Sequence, residues 1–286
     1  YATPLGQLEV DQAAARRLLH DPIFCQHDNA HTGEHSLEVQ LPFIQRLNPG
    51  STLLPILVGD VTAEQISRAA DSLAREWTPE TLVVVSTDFT HYGNSFGYTP
   101  FHRSVAKEEL KKLDGGAIER ILARDNAGFM EYVEQTGATI CGRKPISILL
   151  AMLDAPKGLG PDAELELVEY TTSGDVSGNF NSSVSYAGII VRQLLPASDR
   201  RLLRQIARDA IHAHLMNEIY EPSEQLHRPG RSILRENRAS FVTLRINGEL
   251  RGCIGSLEGR EPLLVNVAHN AINAAFNDSR FPPVTE

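Results

Sequence analysis

Residues 81–93 read TLVVVSTDFTHYG, an apolar, β-branched run that gives way at once to polar residues. The run Thr81–Ser86 predicts a buried strand. Upstream, Thr52–Val58 has the same character, and Ala63–Trp77 between the two has helical spacing. Strand, helix and strand in this order form a βαβ unit, whose strands are usually parallel and covered by helices. This stretch therefore predicts an α/β fold.

The composition changes at residues 194–199, where an apolar run gives way to Pro, Ser and Asp before an Arg-rich helical pattern. We therefore predict an α/β domain over residues 1–195 and a second domain over residues 196–286. Within the first domain the patterns predict further helices at Val105–Leu113, Ala117–Ala123 and Ala127–Gln135, and strands at Leu165–Thr171 and Ser182–Leu194.

The second domain is predicted to begin with a helix, Ser198–Tyr220, whose first residue is its N-cap. Two short strands, Ser240–Ile246 and Leu250–Ile254, then flank Asn247-Gly248, a dipeptide typical of tight hairpin turns because both residues tolerate positive φ. Pro262 opens another helix, and its apolar face comprises Leu264, Val267, Ala271 and Ala275. Helix, hairpin and helix indicate an α+β domain.

The composition excludes several classes of protein. Of the 286 residues, 42% are hydrophobic and 22% charged, which is ordinary for a folded chain. The longest apolar stretches fall far short of the roughly 18 residues that a membrane span requires. The net charge of −9 lacks the basic excess by which proteins neutralise phosphates. We therefore expect neither a membrane nor nucleic acid as a partner.

The three cysteines are too far apart to form a CxxC pair. Neither a disulfide scaffold nor a zinc finger is predicted, and a reducing compartment, the cytoplasm, is expected. The chain opens at Tyr1 rather than Met and stops shortly after a Phe-Pro-Pro turn signal. We expect it to be a fragment cut at both ends.

The first group of candidate site residues lies between positions 25 and 38. On one continuous helix, three histidines four apart would share a face, as in helical zinc sites. The alternative is a polar loop followed by a helix that begins near Glu34 and breaks at Pro42, because Asn29, Thr32 and Gly33 are poor helix formers. The group comprises Cys25, His27, Asp28, His31, Glu34, His35 and Glu38.

The second group, residues 86–93, follows the predicted strand directly. In open α/β sheets, ligands bind beyond the carboxyl ends of strands. Asp88 could orient His91 there, with the imidazole acting as a base or as a metal ligand. The alternative is a turn in which Asp88 caps the chain and His91 is a solvated loop residue.

The third group, residues 139–145, places Cys141 beside Arg143 and Lys144. A thiolate stabilised by these cations could act as a nucleophile or as a soft metal ligand, whereas the alternative is a buried structural cysteine. A cysteine hydrolase that pairs Cys141 with His91 is a further alternative, although no oxyanion-hole motif supports it. Because strand ends converge on one edge, we predict that Asp88, His91 and Cys141 share one cleft, with Glu34 and His35 nearby.

The second domain contains no spacing that suggests a nucleophile and base, whether at His212 and His214, at His227 or at His269. Cys253, between two glycines, is most simply a small packed side chain. Arg251 and Arg260, with neighbouring glutamates, could line a groove for a polar peptide or anion. The alternative is a solvated charged rim. We expect recognition rather than catalysis from this domain.

Eight sequence blocks resemble two known families. The first domain resembles the Memo family through EHSLEVQLPF (34–43), PILVG (55–59), STDFTHYG (86–93), TICGRKP (139–145) and SSVSYA (182–187). The second resembles the AMMECR domain through SFVTL (240–244), GELRGCIG (248–255) and AAFNDSRFPP (274–283). Their combination is similar to a fused member of the AmmeMemoRadiSam system, which implies a radical S-adenosylmethionine protein as partner.

Resemblance to Memo implies an α/β fold similar to the catalytic subunits of extradiol non-haem iron dioxygenases, without implying that activity. It also implies a metal site of histidines and one cysteine, with iron as the favoured ion and copper as the other. Cys141 matches the family's cysteine, and Asp88 and His91 match its acidic and histidine positions. Two further family histidines would precede Tyr1, so we expect iron in the full protein and weak or absent binding in residues 1–286. The AMMECR domain is expected to be partial.

Two functional hypotheses follow from these residues. The first is a non-haem-metal oxidoreductase or redox component, in which Cys141 and His91 bind the metal and His91 or Asp88 moves protons. The second is a non-catalytic adaptor with a vestigial dioxygenase-like pocket. Fold similarity does not choose between them, and the chain is not assigned as an enzyme on this evidence.

Overall fold

The structure is a computed structural model. Contacts divide the chain into two units, Tyr1–Leu194 and Leu195–Glu286. No helix in the described part of the chain is long and apolar enough to cross a membrane. The residues described are 1–78, 80–156, 158, 160, 163–193, 195–222 and 232–285.

The first unit contains a three-stranded antiparallel sheet. Its strands are β3 (His91–Gly93), β4 (Ala163–Thr172) and β5 (Ser182–Gln193), in the spatial order β3-β5-β4. The short strands β1 (Ala2–Thr3) and β2 (Gly6–Gln7) pair separately. Strands β4 and β5 confirm the two strands predicted at the end of this unit. The central strand β5 carries β3, and therefore His91, on its outer edge.

Eight α-helices are described in the first unit. Three of them, α5 (Ala106–Leu122), α6 (Asn126–Thr136) and α7 (Arg143–Asp154), pack with the β4–β5 pair around a core that includes Phe129, Leu150 and Leu165. This core supports the loops that precede β3 and α7. The helices are α1 (Gln12–Leu18), α2 (Asp28–His31), α3 (Leu41–Leu47), α4 (Ala63–Glu76), α5 (Ala106–Leu122), α6 (Asn126–Thr136), α7 (Arg143–Asp154) and α8 (Ser173–Ser177).

Two helices predicted in this unit, Val105–Leu113 and Ala117–Ala123, form one continuous helix. Helix α5 runs without a break through Gly115 and Gly116, where the sequence pattern suggested a gap. A Cβ at Gly116 would lie 2.3 Å from the hydroxyl oxygen of Tyr132 on α6. The glycine therefore permits the close approach of two helices rather than ending one of them.

The prediction of a parallel βαβ unit over residues 52–86 is wrong with respect to its two strands. Its helix is present as α4, with a capping box at Thr62. Its two strands form no ladder among the described residues; Leu53 makes only an isolated parallel bridge with Val10. β-Branched composition favours extended backbone, but a strand is defined by hydrogen bonds to a neighbour. The unit is therefore mixed helix and strand, as an α/β class requires, with antiparallel ladders throughout its described sheets.

The helix predicted to begin near Glu34 is also wrong. Residues 36–40 form turns, and α3 begins at Leu41 with Pro42 in its first turn. Proline lacks a backbone N–H, so it suits the start of a helix, where that group has no partner. Pro42 therefore opens a helix rather than breaking one.

The second unit combines helices with a hairpin. Strands β6 (Phe241–Ile246) and β7 (Glu249–Gly255) pair antiparallel, and Asn247 and Gly248 have φ of 52° and 87°. The predicted hairpin and its turn are confirmed. The helices of this unit are α9 (Ala197–Leu215), α10 (Ser232–Arg235) and α11 (Leu263–Ile272).

The ends of the second unit's helices differ from those predicted. Pro196 is the N-cap of α9, whereas the hydroxyl of Ser198 donates to Asp199. The helix stops at Leu215 because Asn217 adopts a left-handed conformation, with φ of 56°. The apolar face predicted for the last helix is confirmed as buried: Leu264, Val267 and Ala271 lie on α11, and Ala275 lies in the π-helical turn Asn273–Asn277 that follows it.

Candidate metal centre

Buried residues fix the loop that carries Asp88 and His91 to the neighbouring strand and helix. Phe89 and Thr90 are 2% and 0% exposed, and both bond to the backbone of Ser185 on β5. The Asp114 carboxylate on α5 accepts hydrogen bonds from the Thr90 amide at 3.2 Å and its hydroxyl at 2.6 Å. Two consecutive buried residues thus separate Asp88 from His91, and these two side chains remain partly exposed.

A second buried donor completes the bonding of Asp114. The Tyr170 hydroxyl on β4 donates to the other carboxylate oxygen at 2.7 Å. Burial, and next the negative charge of Asp114, hold the pKa of Tyr170 well above its usual range, so its proton remains available for this bond. Asp114 was missed because the predicted helix was broken at Gly115 and Gly116; on the continuous α5 its spacing with the buried Leu110, Ala117 and Ile118 could have indicated it.

Cys141 lies in the turn that precedes α7, and its neighbours fix it against the Asp88 loop. The Gly142 amide donates to the hydroxyl of Thr87 at 2.8 Å. The Asp88 amide donates to the sulfur of Cys141 at 3.3 Å. A Cβ at Gly142 would lie 2.3 Å from the Thr87 side chain, so only glycine permits this approach. Thr87 and Gly142 therefore join two loops that are distant in sequence.

The two loops bring three possible metal ligands together. One ligand atom from each of Asp88, His91 and Cys141 lies within 4.8 Å of the others. Asp88 Oδ2 is 3.4 Å from His91 Nε2, and the two side chains are 40% and 25% exposed. The three residues thus lie close together, as predicted, and their role as a site remains a prediction. Cys141 is exposed rather than buried, so the alternative of a buried structural cysteine is wrong.

The imidazole of His91 retains a free coordinating atom. His91 Nε2 is buried and makes no hydrogen bond, because its 3.4 Å contact with Asp88 lacks hydrogen-bond geometry. The Phe96 ring lies beside the imidazole, with 5.0 Å between the ring centroids. A buried polar atom without a partner usually has a structural explanation, such as an absent ion. Cys141 bonds to Thr87 and Asp88 in the described hydrogen bonds, which leaves a Cys–His nucleophile pair unsupported.

The predicted pocket residues Glu34 and His35 lie outside this donor cluster. The side chain of His35 is 82% exposed. The Glu34 carboxylate accepts a bond from the Ser36 amide at 2.7 Å, which lowers its pKa. Their segment nonetheless contacts the loop, since Gln40 donates to the Ser86 hydroxyl at 3.2 Å. Their role in a pocket remains a prediction.

The three histidines spaced four apart do not share a helix. Helix α2 covers only Asp28–His31, and Gly33 adopts positive φ just beyond it. His31 bonds to the Tyr1 hydroxyl at 2.6 Å. A helical zinc site at these positions is therefore wrong, and the polar loop interpretation is correct for them.

The cations beside Cys141 are directed to a different group. Arg143 is exposed at the first position of α7, and Lys144 pairs with Asp60. The hydrogen bond and charge of Lys144, with a smaller effect of Arg143, lower the pKa of Asp60. The place of Arg143 in a pocket remains a prediction.

The proposed recognition residues of the second unit have separate partners. Arg251 donates to the Pro282 carbonyl, whereas Arg260 pairs with Glu258 at 2.6 Å, where both side chains are exposed. The pairing of Arg260 matches the solvated rim rather than a joint groove. His227 lies outside the described residues. Arg251 and Arg260 remain predictions as recognition residues.

A buried acid in the second unit was not predicted. Asp278 accepts the Cys253 amide at 2.8 Å and pairs with Arg280 at 2.8 Å. Hydrogen bonds from Arg280, and next from the Cys253 amide, lower the pKa of Asp278 well below its usual range. Asp278 and Arg280 are two positions apart, a local spacing that could have indicated this clamp on β7.

Fold and site together define a protein of two units, of mixed helix and strand, whose first unit gathers an acid, an imidazole and a thiol at a sheet edge. The family model described as Memo-like protein matches residues 1–190, and the AMMECR1 family model matches residues 204–286. The chain belongs to the Memo family.

Relatives from archaea support this assignment. MEMO1 family proteins of Methanopyrus kandleri and Thermococcus kodakarensis are each 37% identical, over 198 and 204 residues, or 68% of this chain. A MEMO1 family protein of Pyrococcus furiosus is also 37% identical over 205 residues. The chain spans about two thirds of the length of these relatives, 64% for the first and 68% for the other two.

Proposed function

We propose that the first unit binds a transition-metal ion through Cys141, His91 and Asp88. One observation carries the proposal: their ligand atoms lie within 4.8 Å of one another although two separate loops supply them. Family resemblance favours iron, with copper as the second candidate.

The donor set fits such an ion chemically. A thiolate is a soft ligand, an imidazole is intermediate and a carboxylate is hard, a mixture that suits first-row transition metals better than Mg²⁺ or Ca²⁺. The buried, unpartnered Nε2 of His91 offers its lone pair to the same space. When bound, the ion would supply Lewis-acid and one-electron redox chemistry.

Groups of the chain itself would alter the electron density on the sulfur ligand and move protons near the ion. The Asp88 amide donates to the Cys141 sulfur, and a donor aimed at sulfur draws electron density from a thiolate ligand. Asp88 or His91, whose side chains lie 3.4 Å apart, would move protons to or from a bound molecule when free of the metal. The Phe96 ring lies beside the His91 imidazole, with 5.0 Å between the ring centroids.

We infer that this unit is a non-haem-metal redox component, with a fold related to extradiol dioxygenase subunits. The AMMECR domain supports an assignment to the AmmeMemoRadiSam system, with a radical S-adenosylmethionine protein as partner. Substrate contacts would come from the exposed side of the donor cluster, near Glu34, His35 and Arg143.

A non-catalytic adaptor is the second candidate. It is favoured by exposed apolar side chains on α3, where Phe43 and Leu47 are 68% and 83% exposed one turn apart. Exposed large apolar groups are typical of surfaces that bind partners. In this case the metal would have a structural role, and binding of iron would not lead to oxygen consumption.

Anaerobic titration with Fe²⁺, followed by exposure to oxygen with and without reductant, tests both candidates. We expect H91A to weaken iron binding by at least about tenfold, because it removes one of three protein donors. The matched variant H20A removes a histidine outside the cluster and should bind as the unaltered chain does. Iron-dependent oxygen consumption supports the redox role, binding without consumption supports the adaptor, and equal iron binding by H91A contradicts the site.

A further inference from the structure

Thr139 makes two hydrogen bonds to a single residue of the donor cluster. Its hydroxyl oxygen accepts from the His91 amide at 2.8 Å, and the same hydroxyl donates to the His91 carbonyl at 2.8 Å. Thr139 is half-buried and lies two positions before Cys141. One side chain therefore connects the backbone of one metal ligand to the chain segment that carries another.

The topology of the sheet explains why His91 needs this partner. Strand β3 pairs with β5 on one edge, and on the other edge Gly93 makes an isolated antiparallel bridge with Tyr98. In an antiparallel pair, residues two positions apart direct their N–H and C=O groups to the same edge. His91, two positions before Gly93, thus directs both groups away from β5, where the Thr139 hydroxyl takes the place of a further strand.

We propose that Thr139 is a positioning residue that fixes the distance between His91 and Cys141. This inference rests on the proposed metal site. Ile140, which is 1% exposed, separates Thr139 from Cys141 and anchors the intervening backbone in the core. With Thr139 held on His91 and Ile140 held in the core, the position of Cys141 follows from that of His91.

Thr87 makes the reciprocal connection. It lies on the His91 loop and accepts from the Gly142 amide on the Cys141 loop. Each loop therefore supplies one threonine that bonds to the backbone of the other loop, in opposite directions. Outer hydrogen bonds of this kind orient metal ligands, and their loss commonly costs 10- to 100-fold in metal affinity.

The test compares Thr139→Val with Thr139→Ser in Co²⁺ titrations followed by thiolate-to-cobalt absorption. Valine keeps the shape and loses both bonds, whereas serine keeps the hydroxyl. We expect T139V to weaken Co²⁺ binding by about tenfold or more and to alter the absorption spectrum. T139S should stay within about threefold of the unaltered chain, because its hydroxyl can form both bonds.

Thr136→Val is the matched control. Its hydroxyl donates to the Tyr132 carbonyl at 2.7 Å near the end of α6, three positions from Thr139. T136V loses this bond and a longer one, in which the Thr136 hydroxyl accepts from the Ala138 amide at 3.4 Å, and should leave Co²⁺ affinity and spectrum unchanged. Equal affinity and spectra for T139V and the unaltered chain would overturn the inference.

Hydrogen exchange of the metal-free protein separates this inference from the proposed function. T139V should accelerate exchange of the His91 amide by about tenfold or more, because the amide loses its acceptor. T136V and T139S should not. If the unaltered chain binds no metal, the proposed function fails. The exchange rate of the His91 amide in the metal-free protein then still tests whether Thr139 holds His91. Unchanged exchange at His91 in T139V refutes that role.

Discussion

The backbone amide of Asp88 donates to the sulfur of Cys141 at 3.3 Å, although 53 positions separate the two residues. The amide belongs to the loop that also carries His91. Sulfur and imidazole are therefore held by one continuous set of backbone contacts rather than by two independent loops. We expect small changes at the contact between the loops to affect metal binding before they affect the fold.

Gly142→Ala should disturb this contact directly. The new Cβ would lie 2.3 Å from Thr87, which forces the loops apart and weakens the bond from the Gly142 amide. We expect a loss of about 1–3 kcal/mol in the free energy of unfolding, measured by urea denaturation, together with weaker Co²⁺ binding. Gly115→Ala is the control, since open space surrounds that position on α5. It should stabilise the protein by about 0.5–1 kcal/mol; an equal effect of both changes would contradict the packing described.

Asp114→Ala should destabilise the first unit strongly. It leaves the Thr90 amide, the Thr90 hydroxyl and the Tyr170 hydroxyl without their buried acceptor. We expect a loss of about 3 kcal/mol in the free energy of unfolding, measured by urea denaturation. Asp154→Ala removes an exposed carboxylate that pairs with Arg124 and should cost less than about 1 kcal/mol. Similar losses for both variants would show that the buried bonds contribute little.

The second unit should depend on pH through Asp278. Its pKa is lowered in the folded state, chiefly by Arg280, so its stabilising effect is present above its unfolded pKa of about 3.9. The effect is lost as pH falls through the folded pKa. Thermal melts should show D278N less stable than the unaltered chain at pH 7, with the difference shrinking toward acid pH. Asp209→Asn alters a half-buried acid on α9 that accepts a hydrogen bond from Gln205 rather than pairing with an arginine, and it should show no such trend. A difference that stays constant with pH would refute the ionic role of Asp278.

The sequence pattern predicted the turn and the helices whose conformation depends on residues close together in the chain. The Asn247-Gly248 turn requires positive φ at both residues, and the structure has it. The spacing along α4 and α11 likewise matches their buried faces. The strand predicted at Thr81–Ser86 failed because pairing depends on a neighbour, which the composition of the run does not specify. Pro42 was assigned to the wrong end of a helix, since proline both ends helices and begins them.

The candidate site was predictable only in part. Asp88 and His91 were indicated by their position directly after an apolar run. Cys141 was indicated because a thiolate can act as a soft metal ligand. The supports Thr87 and Thr139 could not be predicted, because they act through bonds that span 55 and 48 positions. Such contacts depend on the tertiary fold and have no local spacing signal.

The central claim is that Cys141 ligates a metal beside His91 and Asp88. A Co²⁺ titration of the unaltered chain, C141S and C25S tests it most directly, because thiolate-to-cobalt absorption reports sulfur bound to the ion. Cys25 is also a free, exposed cysteine but lies outside the donor cluster. We predict that the absorption approaches one ion per chain only in excess Co²⁺, in keeping with the weak binding expected of residues 1–286, persists in C25S and is lost in C141S. Absorption that persists in C141S, or that never develops in the unaltered chain, would contradict the account.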